Sequence, residues 1–237
     1  MLDTTGRVAM ITGANRGIGN ALARQLHHDG WTVSLGARNL DQLLETTADL
    51  GEERVSHHRY DANNRATDGA WIESTMALHG RIDGLINNAG VAHLNDLESL
   101  DDDALDDMFA VNVKAPLRLI QQCLPQLRTS GTGRIVNLVS MSGKRVSGTF
   151  APGYAMSKFA ALALSHATRQ AVWDQGIRVT AVCPGFVATD MTDEFGPDKA
   201  TQIQPADLAE TVATIMRLPN TAQVAELLVT CVPEAMA

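Results

Sequence analysis

Thr12-Gly13-Ala14-Asn15-Arg16-Gly17-Ile18-Gly19 decides the fold. It follows the apolar run Val8-Ala9-Met10-Ile11 and precedes Asn20 to His28, where Ala21, Leu22 and Leu26 fall on one helical stripe. The order is strand, glycine turn, helix, as a nucleotide-binding βα unit requires. Gly13 suits a turn that a Cβ would obstruct, Gly17 lets a pyrophosphate approach the backbone, and Gly19 lets the helix pack closely on the sheet. The helix start, with Asn15 and Ile18 beside it, then offers unpaired N–H groups and a partial positive charge to the phosphates. A glycine-rich loop at a buried helix start is the plain alternative; the flanking strand and helix weigh against it.

Outward from this unit, strand-like runs at 8–11, 32–35, 55–59, 85–87, 135–139, 179–183 and 225–229 alternate with helical patterns at 17–28, 40–49, 67–79, 101–127, 154–175 and 206–217. This alternation predicts an α/β fold, a doubly wound parallel sheet of seven strands with helices on both faces and ligands at the carboxyl ends of the strands. No repeat, low-complexity tract or Pro/Gly/Ser linker divides the chain, so residues 1–237 are expected to form a single Rossmann-type domain. A length of 237 residues and 45% hydrophobic content suit one large domain. The net charge of −8 and only 4% aromatic residues argue against nucleic acid or an acidic membrane as partner. Cys123, Cys183 and Cys231 lack metal-ligand spacing, and two lie in apolar runs, as buried thiols in a reducing cytosol would. Met1 to Gly6 is too short and polar for a signal peptide, and no apolar run is long enough to span a membrane, so a cytoplasmic location is expected.

The strand ends carry the chemistry. After the second strand comes Gly36-Ala37-Arg38-Asn39, with no acid to grip a ribose 2′-OH. Arg38 and Arg16 are either two solvated surface arginines or two groups converging on a 2′-phosphate; the convergence favours NADP, with NAD still accepted. Asp61, followed by Ala62, either accepts from an adenine amino group or forms an Asx turn or helix cap. Asn87-Asn88-Ala89-Gly90 ends the fourth strand with residues that allow close backbone approach to a ligand. Asn112 sits among apolar neighbours, either in a structural hydrogen bond or in a water-holding relay. Ser140-Met141-Ser142-Gly143 ends the fifth strand, and fourteen residues after Ser140 comes Tyr154, with Lys158 on the same helical face. An ammonium beside a phenol is expected to lower its pKa and make Tyr154 a proton donor and acceptor near neutral pH.

The glycine loop, Asn87–Gly90, Ser140 with Tyr154-x-x-x-Lys158, and Pro184-Gly185 followed by Thr189 agree in type, order and spacing. From about residue 5 to about residue 190 the chain resembles the single-domain branch of the short-chain dehydrogenases/reductases. That resemblance implies an NAD(P)-dependent oxidoreductase moving a hydride between nicotinamide and a small carbonyl or secondary-alcohol substrate, with no metal required. It makes Tyr154 the acid/base, with Lys158 tuning it and holding the nicotinamide ribose. Ser140 partners the substrate oxygen, Asn112 holds a relay water, and Pro184, Gly185, Val187 and Thr189 seat the nicotinamide. Ser140 is preferred to Ser142 because the family pattern S-x-x-G ends at Gly143. The resemblance also implies a homodimer or homotetramer, although the stretch from Val224 to Ala237 lacks the glycine-rich close of many relatives. Residues 186–204, with Phe186, Met191 and Phe195, read as a short substrate lid. Lys144 and Arg145 either greet an anionic substrate or are solvated loop charges. A cofactor-sensing protein without turnover is the competing reading, and the retained Asn112, Ser140, Tyr154 and Lys158 argue for the enzyme.

Overall fold

Side chains of the central strands point alternately to two cores on opposite faces of one sheet, as the pleat dictates. Ile11, Ile86, Val136 and Val182 face one core; Met10, Leu85, Ile135 and Val179 face the other. The computed structural model describes residues 1–146, 148–193 and 196–233. In chain order the elements are β1 (Val8–Thr12), α1 (Gly17–His28), β2 (Thr32–Ala37), α2 (Leu40–Thr46), β3 (Val55–Arg59), α3 (Ala66–His79), β4 (Gly84–Asn87), α4 (Asp102–Phe109), α5 (Ala115–Thr129), β5 (Arg134–Leu138), α6 (Pro152–Val172), β6 (Arg178–Pro184), α7 (Pro205–Met216) and β7 (Glu226–Val229). Among the described residues these make one parallel seven-stranded sheet in the order β3-β2-β1-β4-β5-β6-β7. The expected fold class holds.

Both faces are covered, which is why β1 and β5 are buried at every position. Leu22 and Leu26 of α1 join Leu208, Val212 and Met216 of α7 over the first core. Trp71 and Ile72 of α3 join Leu119, Cys123 and Leu127 of α5 over the second. The strand order reverses between β1 and β4, so the crevice for a ligand opens at their carboxyl ends. One buried ion pair steadies that end: Arg118 Nε donates to Asp68 Oδ2 at 2.5 Å, and Arg118 Nη2 donates to the Ala62 carbonyl at 2.8 Å.

The single helix expected at 101–127 is two helices. A π-helical turn at Ala110–Lys114 separates α4 from α5, with the Ala115 N–H donating to the Ala110 carbonyl. Pro116 has no N–H to return to the Asn112 carbonyl four residues back, so an unbroken α-helical ladder cannot run through this point. Asp101 caps α4 through a 2.7 Å bond from the Ala104 N–H, and Asp102 and Asp103 fill its first turn. Acids take this role at a helix start, where they meet unpaired N–H groups and the positive end of the dipole. The helix expected at 40–49 ends at Thr46 and passes into a short 3₁₀ turn at Ala48–Leu50.

Candidate active site

The glycine loop is held from outside. Thr12 Oγ1 accepts the N–H groups of Asn88 and Ala89 at 2.8 and 2.9 Å, and Asn88 Nδ2 donates to the carbonyls of Thr12 and Gly13 at 2.8 and 3.2 Å. Thus the end of β4 braces the end of β1. Gly19 is required by this brace: a Cβ there would lie 2.2 Å from the Gly13 oxygen and 2.5 Å from Asn88 Nδ2. Gly17 has φ +54°, and a Cβ on it would meet Thr189 Cγ2 at 3.1 Å, so the loop after β6 comes up against the glycine loop. No side chain caps α1, and its first turn has no acid, which leaves its N–H groups and dipole for an anion.

A cleft of about 650 Å³ lies over this loop. Its walls include Gly13, Asn15, Arg16, Gly17, Ile18, Arg38, Asp61, Ala62, Asn88, Ala89, Gly90, Ser140, Tyr154, Lys158, Pro184, Gly185, Val187 and Thr189. Of the residues expected at the site, Gly19 and Asn112 do not reach the wall. The Asn112 side chain is instead occupied. Its Oδ1 accepts from Val91 N, and its Nδ2 donates to Val91 O and Ser157 Oγ, all at 2.9 Å. This is the structural alternative for Asn112.

Tyr154 and Lys158 share one face of α6. Ser140 stands just past the carboxyl end of β5 and lines the same cleft. Ser140 Oγ also accepts the Ser142 N–H at 3.0 Å. Ser142 lines the cleft as well, and of the two it is Ser140 whose hydroxyl acts on the Tyr154 pKa. Lys158 is buried; its Nζ donates to the Leu138 carbonyl at 2.9 Å and lies 5.5 Å from the centre of the Tyr154 ring. The expected lowering of the Tyr154 pKa is not found. Burial pushes the phenol up to about 12, opposed by the Ser140 hydrogen bond. The same burial pushes Lys158 down to about 8. The reason is placement: the ammonium lies toward the ring and donates to a carbonyl, while the desolvation of the site disfavours both charged forms. Just before α6, Ala151 holds φ +59°, the sole non-glycine residue in the left-handed region among those described. It sets the entry angle of the helix that carries Tyr154.

Toward the ends of β2 and β3, Asp61 Oδ1 accepts the Asn63 N–H at 3.0 Å, which is the Asx turn. Asn15 Nδ2 donates to Gln42 Oε1 at 2.8 Å, bringing Gln42 to the wall without any signal in its sequence context. Arg38 is exposed, and its charge reaches Asp107, whose carboxyl is held low chiefly by His93. Arg16 Nη1 pairs with Asp190 Oδ2 at 2.9 Å. At the other end the cleft is apolar, lined by Leu94, Val146, Phe150, Phe186, Met191 and Val232. Only Phe186 and Met191 of these lie in the segment expected to meet substrate; Phe195 of that segment lies outside the described residues. Val146 and Phe150 were legible as apolar residues stranded in a loop between the serine and the tyrosine. The segment's ends are paired, with Ala188 N donating to Ile203 O at 2.9 Å and Ile203 N donating to Phe186 O at 3.0 Å. Lys144 turns away from the cleft to Glu226 at 2.6 Å, whereas Arg145 lines it.

This fold and this arrangement of residues are those of a known class, and the chain belongs to it: residues 7–200 match the short chain dehydrogenase family. Agropine synthesis reductase of Rhizobium rhizogenes is 40% identical over 97% of this chain, and the chain spans 53% of that protein's length. An uncharacterized oxidoreductase of Staphylococcus aureus strain USA300 is 30% identical over 97% of this chain and 99% of its own. Among solved structures, an alcohol dehydrogenase from the archaeon Thermococcus sibiricus complexed with 5-hydroxy-NADP superposes with a TM-score of 0.88 at 29% identity, covering 97% of this chain and 99% of that one. A metagenomic short-chain oxidoreductase in complex with NADP gives 0.84 at 30% identity, covering 98% and 100%. Among the described residues no helix is long and apolar enough to cross a membrane.

Proposed function

We propose that the chain is an NADP(H)-preferring oxidoreductase that interconverts a carbonyl and a secondary alcohol on a small molecule, with Tyr154 as acid/base. The observation that carries this reading is that Ser140, Tyr154 and the buried Lys158 line one cleft, which begins at an uncapped helix start. The residues suit a dinucleotide: the α1 N-terminus for the pyrophosphate, and for a ribose the Lys158 ammonium, which makes one hydrogen bond among the described residues. A bound dihydronicotinamide supplies the hydride. Tyr154, whose pKa of about 12 keeps it protonated at neutral pH, donates the proton to the forming alkoxide, and Ser140 donates a hydrogen bond to the same oxygen. Reduction is the direction in which a protonated phenol donates, and the Rhizobium relative carries a reductase name.

Residues 186–204 act as the substrate lid, contributing Phe186 and Met191 to the apolar wall. Exposed Leu117 on α5 and Met156 and Phe159 on α6 support assembly into a homodimer or homotetramer, and the buried free thiols of Cys123 and Cys183 suit the cytoplasm.

Two experiments test the proton path. Ser140→Ala should lower turnover about ten- to hundredfold, the worth of one hydrogen bond to a charged oxygen, while Ser142→Ala acts weakly. The reverse ranking would assign the role to Ser142. The second is a pH profile. Lys158 of the free protein is cationic below about pH 8 and loses its proton above it. The kcat/KM for NADPH should therefore be level up to about pH 8 and fall beyond it. A profile flat to pH 10 would remove Lys158 from cofactor capture.

A further inference from the structure

The two arginines at the adenosine end stand in different electrostatic positions. Arg38 has no ion pair among the described residues, whereas Arg16 is tied to Asp190 at 2.9 Å across 174 residues of sequence. Both members of the pair line the cleft, and both side chains are more than 60% exposed. The two loops meet beside this pair. Asp190 directly follows Thr189, whose methyl group would touch a Cβ on Gly17, so backbone packing brings the two loops together at this point. Asp190 also accepts no other side-chain hydrogen bond among the described residues and opens a short 3₁₀ turn at Asp190–Thr192, which fixes its main chain.

A carboxylate on a guanidinium occupies the geometry that a phosphate would use. We propose that Asp190 is a determinant of coenzyme preference: it competes with the 2′-phosphate for Arg16 and so holds the selectivity for NADP below what the two arginines would give together. This rests on the reading that Arg16 and Arg38 face a 2′-phosphate. Arg38 then carries most of the preference, and Arg16 contributes only as far as it leaves Asp190. The pair is exposed, so the competition is modest, about two- to fivefold in affinity.

The test is equilibrium binding, measured by calorimetry with 2′,5′-ADP and 5′-AMP as probes. They share the adenosine and 5′-phosphate and differ in the 2′-phosphate alone. Asp190→Asn should tighten 2′,5′-ADP about two- to fivefold and leave 5′-AMP unchanged, and Asp190→Ala should do the same. In an Arg16→Met background the Asp190 substitution should have no effect on either probe, because the competed group is gone. An unchanged affinity for 2′,5′-ADP, an equal gain for both probes, or a gain that survives in Arg16→Met would each overturn the proposal. The underlying reading fails separately. Wild-type protein that binds the two probes equally, with a gain for 2′,5′-ADP in Asp190→Asn, would refute NADP preference while upholding the competition. Strong wild-type selectivity that Asp190→Asn leaves untouched would do the opposite.

Discussion

Tyr154→Phe should bind coenzyme nearly as the wild type does and lose turnover by about two to four decades. The substitution removes one oxygen from a residue that lines the cleft wall. The helix is unaffected, because the ladder of α6 and the bond from Ser157 Oγ to the Tyr154 carbonyl involve the main chain. What is lost is the proton donor, whose worth when well placed is about 10²–10⁴ in rate. Lys158 cannot replace it, because its ammonium lies over the ring, 5.5 Å from its centre. The measurements are steady-state turnover on a panel of ketones and aldehydes and coenzyme affinity by fluorescence. Near-wild-type turnover would refute the assignment of Tyr154. A parallel loss of coenzyme binding would give the tyrosine a binding role instead.

Arg38→Asp should reverse the coenzyme preference. In the wild type the guanidinium at the end of β2 offers a 2′-phosphate charge-assisted hydrogen bonds worth about 1.5–3 kcal/mol when well made. Solvent screening trims that to about a tenfold preference for NADPH, and raised salt should shrink it further. An aspartate there accepts from a ribose 2′-OH and repels a phosphate, so the ratio of kcat/KM for NADPH over NADH should swing by about a hundredfold or more. The nearby charge of Asp107 adds to that repulsion. NADH should remain usable throughout, since the glycine loop and the Lys158 end do not distinguish the two. Equal kcat/KM values in the wild type, or a ratio that the substitution leaves unchanged, would return Arg38 to the solvated surface.

The order of elements was legible because central strands of a buried parallel sheet, such as β1, read as apolar runs and each helix keeps its own period. Residues 101–127 misled for the same reason. The apolar pattern runs straight through the π turn, and the signals against a single helix were only Pro116 and a buried Asn112. Glycine spacing located the loop, but not that Thr12 and Asn88 hold it, since those bonds join residues 76 apart. The Tyr154–Lys158 pair was legible from its i, i+4 spacing. Its pKa values were not, because they depend on desolvation by the surrounding walls rather than on the separation of two residues along a helix. The Arg16–Asp190 pair and the turning of Lys144 to Glu226 lie beyond any local pattern, being set by how the loops after β5 and β6 fold back.

The brace between β1 and β4 also has a consequence in time. The coenzyme loop reaches its shape only when Asn88 arrives, and the cleft closes only with Ser140, Tyr154 and the loop ending at Thr189. A chain emerging from the ribosome thus presents the glycine motif first and completes a dinucleotide site last. The early half must collapse on its own apolar surface, with β1 paired to β2 but waiting for its second neighbour, β4, more than seventy residues away. Coenzyme then acts on the finished fold by mass action, slowing its loss without helping to begin it.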